Sequence, residues 1–386
     1  MKPHAAIRVL TLAGLTSSVA CGSASSSSSD GGSSVSGSGA ASSGTPGGSG
    51  MSTTGTSGTG AASGANTSGA PSTAGSSGSA SGSDAGSSAE SGSVSEAGGV
   101  DAPSAGATAS HVKTIFLILM ENHNWSDIKG SSSAPFINGT LLPAASSCSN
   151  YYDNPSAVHP SEPNYIWLEA GDNLGITSDS DPSVTHQATT SHLVTLLKNA
   201  GVTWTSYQED IADTGCPITS VNKYAPKHNP MVFFDDVVGN PPSATSSYCS
   251  AHMKPFSKLA SDLSTGTVAQ YNFITPNLCD DMHDTCTGDA IRQGDDWLKA
   301  NVPVIQASQA YKTGAIFITW DESEGGEYPI GMIVLSPFAK GGGYVGATKY
   351  YHSSMLRSAQ EILGVTPLLR DAANQPDLSD LFTAFP

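Results

Sequence analysis

The chain has 386 residues and a formal net charge of −17, with 38 % hydrophobic and 7 % aromatic residues. Removing Lys2, Arg8 and the five acids before residue 111 (Asp30, Asp84, Glu90, Glu96, Asp101) leaves −14 on residues 111–386. That balance argues against non-specific binding to nucleic acid, and it means that an anionic substrate needs local positive charge to enter a site.

Lys2 and Arg8 precede an apolar run from Val9 to Leu15, and small residues then lead to Cys21. This order reads as an export signal over residues 1–21, too short for a permanent membrane span. Ser18-Val19-Ala20-Cys21 is similar to a bacterial lipobox, in which the cysteine carries lipid; attachment to a membrane is expected only through that modification. Residues 22–110 are almost entirely Gly, Ser, Ala and Thr, with no aromatic, Leu, Ile, Lys or Arg. Such a segment cannot bury enough apolar surface to offset chain entropy, so a disordered tether roughly 50 Å from end to end is expected. Residues 111–386 hold every aromatic residue and suffice for one α/β domain. Export predicts disulfides there: Cys279–Cys286 first, Cys216–Cys249 next, with one cysteine left over.

Within the domain, Thr114–Met120 is a continuous apolar run, the pattern of a strand buried on both faces. A helix is expected from Ser161 to Ala170, with Ser161 as N-cap, and another from Ser191 to Ala200, capped by Ser191. Strands follow at 202–207, 270–275, 315–319 and 330–335, with helices at 289–308 and 353–363. This alternation predicts a mainly parallel central sheet with helices on both faces, and chemistry at the carboxyl ends of the strands.

Three strand ends run into hard oxygen ligands or histidine: Glu121-Asn122-His123, Asp280-Asp281-Met282-His283-Asp284 and Asp321-Glu322. One acid after a strand is ordinarily a solvated loop charge. Three clusters at one sheet edge repel unless a cation or shared protons hold them. Ser161, in His159-Pro160-Ser161-Glu162-Pro163-Asn164-Tyr165, places a hydroxyl at a helix N-terminus, where anions are favoured. The remaining histidines of interest are His228, in Lys227-His228-Asn229-Pro230, and His352, before the last helix. No GxSxG, HExxH or CxxC motif is present, which disfavours an α/β-hydrolase esterase and a zinc protease.

In this order, the motifs resemble those of a family of secreted acid phosphatases and phospholipases C within the alkaline phosphatase superfamily. The resemblance spans about residues 113–366. It implies an alkaline-phosphatase-like fold, a divalent metal held by Glu121, Asn122, Asp321 and Glu322, and Ser161 as nucleophile. It also implies that His228 and His283 bind phosphate or protonate the leaving group. His159 and His352 stand at expected substrate-side positions, His352 matching a second-metal ligand of two-metal relatives. A sulfatase is disfavoured, because its nucleophile motif requires Arg where Tyr165 stands. The implied activity is hydrolysis of small phosphate monoesters. The alternatives are a phosphodiesterase or phospholipase C, and a surface lipoprotein that binds phosphorylated ligands without turnover.

Overall fold

The computed structural model describes residues 111–386; the expected export signal, Cys21 and the expected tether lie outside the described residues. Eight strands form one sheet: β1 (Thr114–Met120), β2 (Ser146–Cys148), β3 (Trp204–Gln208), β4 (Met253–Pro255), β5 (Tyr271–Thr275), β6 (Gly314–Trp320), β7 (Met332–Leu335) and β8 (Tyr344–Gly346). Their order is β4-β3-β5-β1-β6-β7-β2-β8. Every pairing is parallel except the two made by β7, which runs against β6 and β2. The mainly parallel sheet expected from the alternation is therefore present, with one reversed strand.

Ile115 to Met120 are fully buried, as are nearly all side chains of β5 and β6, and each large aliphatic or aromatic side chain removed from water contributes about 1.5–3 kcal/mol. The principal helices are α1 (Ser161–Ala170), α2 (Leu193–Asn199), α3 (Leu259–Thr265), α4 (Ala290–Gln306) and α5 (His352–Leu363). α1, α2 and α5 pack together as one layer, and α3 packs with α4. Both expected disulfides form, Cys216–Cys249 and Cys279–Cys286, and Cys148 is the free, buried cysteine among the described residues.

Two helix starts differ from expectation. Pro160, not Ser161, is the N-cap of α1; Ser161 is its first residue and its hydroxyl makes no cap bond. Backbone constraint from the flanking prolines fixes the chain entry instead, which leaves the hydroxyl available. α2 starts at Leu193 with His192 as N-cap, and its free amide is satisfied from another helix: Val194 N donates to Glu169 Oε1 at 2.8 Å. His192 is itself buried between Glu169 (2.8 Å) and Asp236 (2.9 Å) and stacks on Phe234. Burial alone would lower its pKa, but Asp236 and Glu169 outweigh burial and raise it.

This triad ties α2 to the far end of α1. His192→Ala should lower the unfolding free energy by about 3–5 kcal/mol at mildly acid pH, because Glu169 is left buried and unpaired. A histidine held above its unfolded value stabilises fully below that value, 6.5 here, and loses the contribution as pH rises through the folded value. Urea denaturation should therefore show a smaller mutant–wild-type gap at alkaline pH than at about pH 6. An equal gap at both would show that packing on Phe234, not charge, carries the effect.

Candidate active site

The pairing of β1 with β6 decides where the first carboxylates fall. Met120 lies opposite Trp320 in parallel register, so Glu121 and Asp321 emerge together at the carboxyl edge. Asp321 N bonds Met120 O at 2.9 Å, and Glu121 N bonds Asp281 O at 2.8 Å, which draws in the acidic loop after β5. The Cys279–Cys286 bridge closes that loop. Met282 anchors it under Trp320, whose Nε1 lies 3.4 Å from the sulfur.

Glu121, fully buried, is the hub. Ser161 Oγ donates to its Oε2 at 3.1 Å, and Tyr165, one turn further along α1, donates to Oε1. His228 fills the opposite side: Nε2 is 3.2 Å from Glu121 Oε1, Nδ1 is 3.3 Å from Asp281 Oδ2, and its ring stacks on Tyr165 at 5.0 Å. Burial works against ionising Glu121, yet His228, Lys227 and His283 hold its pKa down at about 2. His228 is raised to about 9, because Glu121 and Asp281 outweigh its own burial. Asp321 goes the other way: burial, then Glu121 and Glu322, push it well above the usual carboxylate range.

Asn122 links the two carboxylate pairs. Its backbone is left-handed, φ 43°, a region Asn tolerates better than most side chains. Its backbone N donates to Asp321 Oδ1 at 2.9 Å. Its side-chain oxygen lies 3.2 Å from each of Glu121 Oε2, Asp321 Oδ1 and Glu322 Oε1. Adjacent oxygen ligands of one cation sit about 3 Å apart when bonds of roughly 2.1 Å meet at right angles. Turned over, the amide would instead donate to all three carboxylates. Asp321 Oδ2 is buried and has no hydrogen-bond partner. Four converging oxygens, three of them carboxylate, beside the orphaned second oxygen of Asp321 fit a hard divalent cation. Glu121, His228 and His283 also come close enough to share an ion.

The other sequence-derived residues fall into distinct places. His283 is half-buried, with Nδ1 2.9 Å from Asp284 Oδ1, Nε2 3.4 Å from Lys227 Nζ, and its ring against His228. His159 donates from Nδ1 to Glu322 Oε2 at 2.7 Å, with Asn164 Nδ2 on the same oxygen at 3.0 Å. His352 is fully buried, and both ring nitrogens are engaged, by Asp321 O at 2.7 Å and Tyr151 OH at 3.1 Å. Burial lowers its pKa to about 4. That placement makes it a neutral post under the Asp321 backbone rather than a group that reaches substrate.

Lys227 and Tyr165 received no role from the sequence, although both stand beside residues that did. Lys227 Nζ pairs with Asp179 Oδ2 at 2.8 Å, and Asp179 Oδ1 takes the Glu162 amide at 3.0 Å, so a carboxylate occupies the first turn of α1. Burial opposes the Lys227 charge, but Glu121 and Asp179 keep its pKa raised.

The phosphoesterase family profile matches residues 144–366, more than half of the chain. A phosphatidylinositol-3-phosphatase of Mycobacterium tuberculosis is 29 % identical over 72 % of this chain and 87 % of its own length. A probable acid phosphatase of Kluyveromyces lactis is 30 % identical over 55 % of this chain and 48 % of its own, and an acid phosphatase of Aspergillus fumigatus 29 % identical over 66 % and 56 %. The chain thus spans about half the length of these fungal relatives. Among solved structures, a phosphonate monoester hydrolase of Silicibacter pomeroyi aligns over 71 % of this chain and 77 % of its own, at 11 % identity and a TM-score of 0.47. The chain belongs to the phosphoesterase family, hydrolases acting on phosphoric ester bonds.

Proposed function

We propose that residues 111–386 hydrolyse phosphate monoesters through a phosphoserine formed at Ser161, with a divalent cation held by Glu121, Asn122, Asp321 and Glu322. The observation that carries this reading is the Ser161 hydroxyl, buried at the start of α1 and 3.1 Å from Glu121 Oε2, beside the converging oxygens around Asn122. The relatives' names all describe phosphatases, which favours the monoesterase over the phosphodiesterase alternative. A cation bound there supplies Lewis-acid stabilisation of charge on the phosphoryl oxygens and lowers the pKa of the serine.

Ser161 Oγ bonds to phosphorus as the ester P–O bond opposite it breaks, and the serine proton passes to water. His283 gives a proton to the departing alkoxide. In the second half, a water oxygen bonds to phosphorus, the P–Oγ bond breaks, His283 takes the water proton and Ser161 regains a proton from water. His228 and Lys227 act through fixed charge on this wall of the site, which offsets the −14 of the domain for an anionic substrate. We also infer export, with Cys21 as the lipidated residue and residues 22–110 as the tether. The two disulfides support an oxidising compartment, and mass spectrometry of the mature N-terminus tests it. Among the described residues no helix is long and apolar enough to cross a membrane.

Ser161→Ala should fold normally, since its hydroxyl makes no cap bond, and should lose several orders of magnitude in turnover. An aryl phosphate should be cleaved far faster than the matching diester. Retention of more than about a tenth of the activity would rule out Ser161 as nucleophile. Faster diester cleavage would favour the phospholipase alternative, and binding without turnover the lipoprotein one.

Chelation should abolish hydrolysis and readdition of Mg²⁺, Mn²⁺ or Zn²⁺ restore it. Asp321→Asn removes a ligand charge at nearly constant shape and should weaken metal affinity and activity together. Full activity in protein shown to be metal-free by elemental analysis would place the burden on His228 and His283.

A further inference from the structure

We propose that Asp153, His159 and Glu327 form a second divalent-cation site beside the Ser161 centre, joined to it through Glu322. One ligand atom from each of the three lies within 4.8 Å of the other two. His159 Nε2 is 2.9 Å from Glu327 Oε1 and 3.6 Å from Asp153 Oδ2. Ligands on one cation, with bonds of about 2.1 Å at 90–110°, sit roughly 3.0–3.4 Å apart, so the two sides of the triangle that meet at His159 are already near the separation an ion requires.

Two further observations point to a ligand. Asp153 is 1 % exposed. Its Oδ1 accepts from Asn154 N at 2.7 Å, but its Oδ2, the atom facing His159, has no hydrogen-bond partner. Burying such an oxygen without a donor or cation costs on the order of 1–3 kcal/mol. The second is the orientation of the imidazole. Nδ1 lies 2.7 Å from Glu322 Oε2, which leaves Nε2 facing Asp153 and Glu327. Metal-bound histidine characteristically donates its other ring N–H to a carboxylate in this way.

A proton on His159 is the competing occupant, and it accounts for less. An imidazolium has two N–H groups; one serves Glu322 and the other Glu327, and Asp153 Oδ2 remains without a donor. A cation at Nε2 satisfies all three. One imidazole and two carboxylates suit Zn²⁺ or Mn²⁺ better than Ca²⁺ or a copper ion. Through His159 the site borders a cavity of about 320 Å³ that also holds Glu322, Asn122 and the 323–326 turn. A cation there would add positive charge at the rim of the Ser161 centre and pin the turn that carries Glu327. The donor sets are separate apart from the Glu322–His159 contact, so this site does not depend on the reading of the first one.

The test is isothermal titration of the dialysed full-length protein with ZnCl₂, and separately MnCl₂, with elemental analysis of the saturated product. Wild type should bind two equivalents. Glu327 is 44 % exposed at its side chain, so Glu327→Gln should fold normally, as circular dichroism would show. It should weaken one of the two sites at least about tenfold, since loss of even an outer-shell partner costs about 10–100-fold. Asp153→Asn should weaken the same site, and Asp321→Asn only the other. Two equivalents undiminished in both Glu327→Gln and Asp153→Asn would overturn the proposal, as would a single wild-type equivalent that both variants retain. A single equivalent kept by Asp321→Asn and lost in Glu327→Gln would uphold this site and overturn the first.

Discussion

Parallel pairing of β1 with β6 forces Glu121 and Asp321 out of the sheet side by side, and both are fully buried. Two unit charges about 4 Å apart cost about 4 kcal/mol at an effective dielectric near 20, and far more in a drier interior. The groups around them read as answers to that repulsion. Ser161 and Tyr165 donate to Glu121, and the charges of His228, Lys227 and His283 keep it ionised. Asp321, with one oxygen bonded to the Asn122 amide and the other to nothing, is pushed toward the neutral form. A cation reverses that second effect, and so the same constraint that strains the sheet edge defines the binding chemistry.

Glu121 also explains why the nucleophile sits where it does. α1 enters through Pro160 and turns Ser161 and Tyr165, four residues apart and on one helix face, toward the same carboxylate. At the other end of α1, Glu169 is buried against His192 and caps α2. The helix is held at both ends by carboxylate chemistry, which limits how far the Ser161 hydroxyl can drift from the β1 edge. Placement of this kind is worth several kcal/mol of barrier when a reacting group must stay in line.

Much of this was legible in the sequence because the strands that carry the site are long and buried on both faces. The apolar runs ending at Met120 and Thr319 announced β1 and β6, and the acids just beyond them followed from the parallel alternation. The three-residue strands β2, β4 and β8 carry no periodicity to read, and β7 looked like its parallel neighbours because strand direction leaves no mark on composition. Ser161 read as a cap because serine usually is one before a helix; the adjacent prolines do that work. Asp153 and Glu327 escaped notice for a different reason. Each is a lone acid in a polar loop, and only the fold brings them to His159. His352 was read toward substrate, and it is the backbone carbonyl of Asp321 that takes its ring nitrogen.

The central claim is that a phosphoryl group passes through Ser161, and a chemical trap tests it most directly. Protein mixed with an aryl phosphate and quenched in acid within one turnover should yield a single phosphorylated peptide on mass spectrometry, modified at Ser161. Turnover of the same substrate with no phosphopeptide under any quench, or with the phosphoryl group on another residue, would contradict the account.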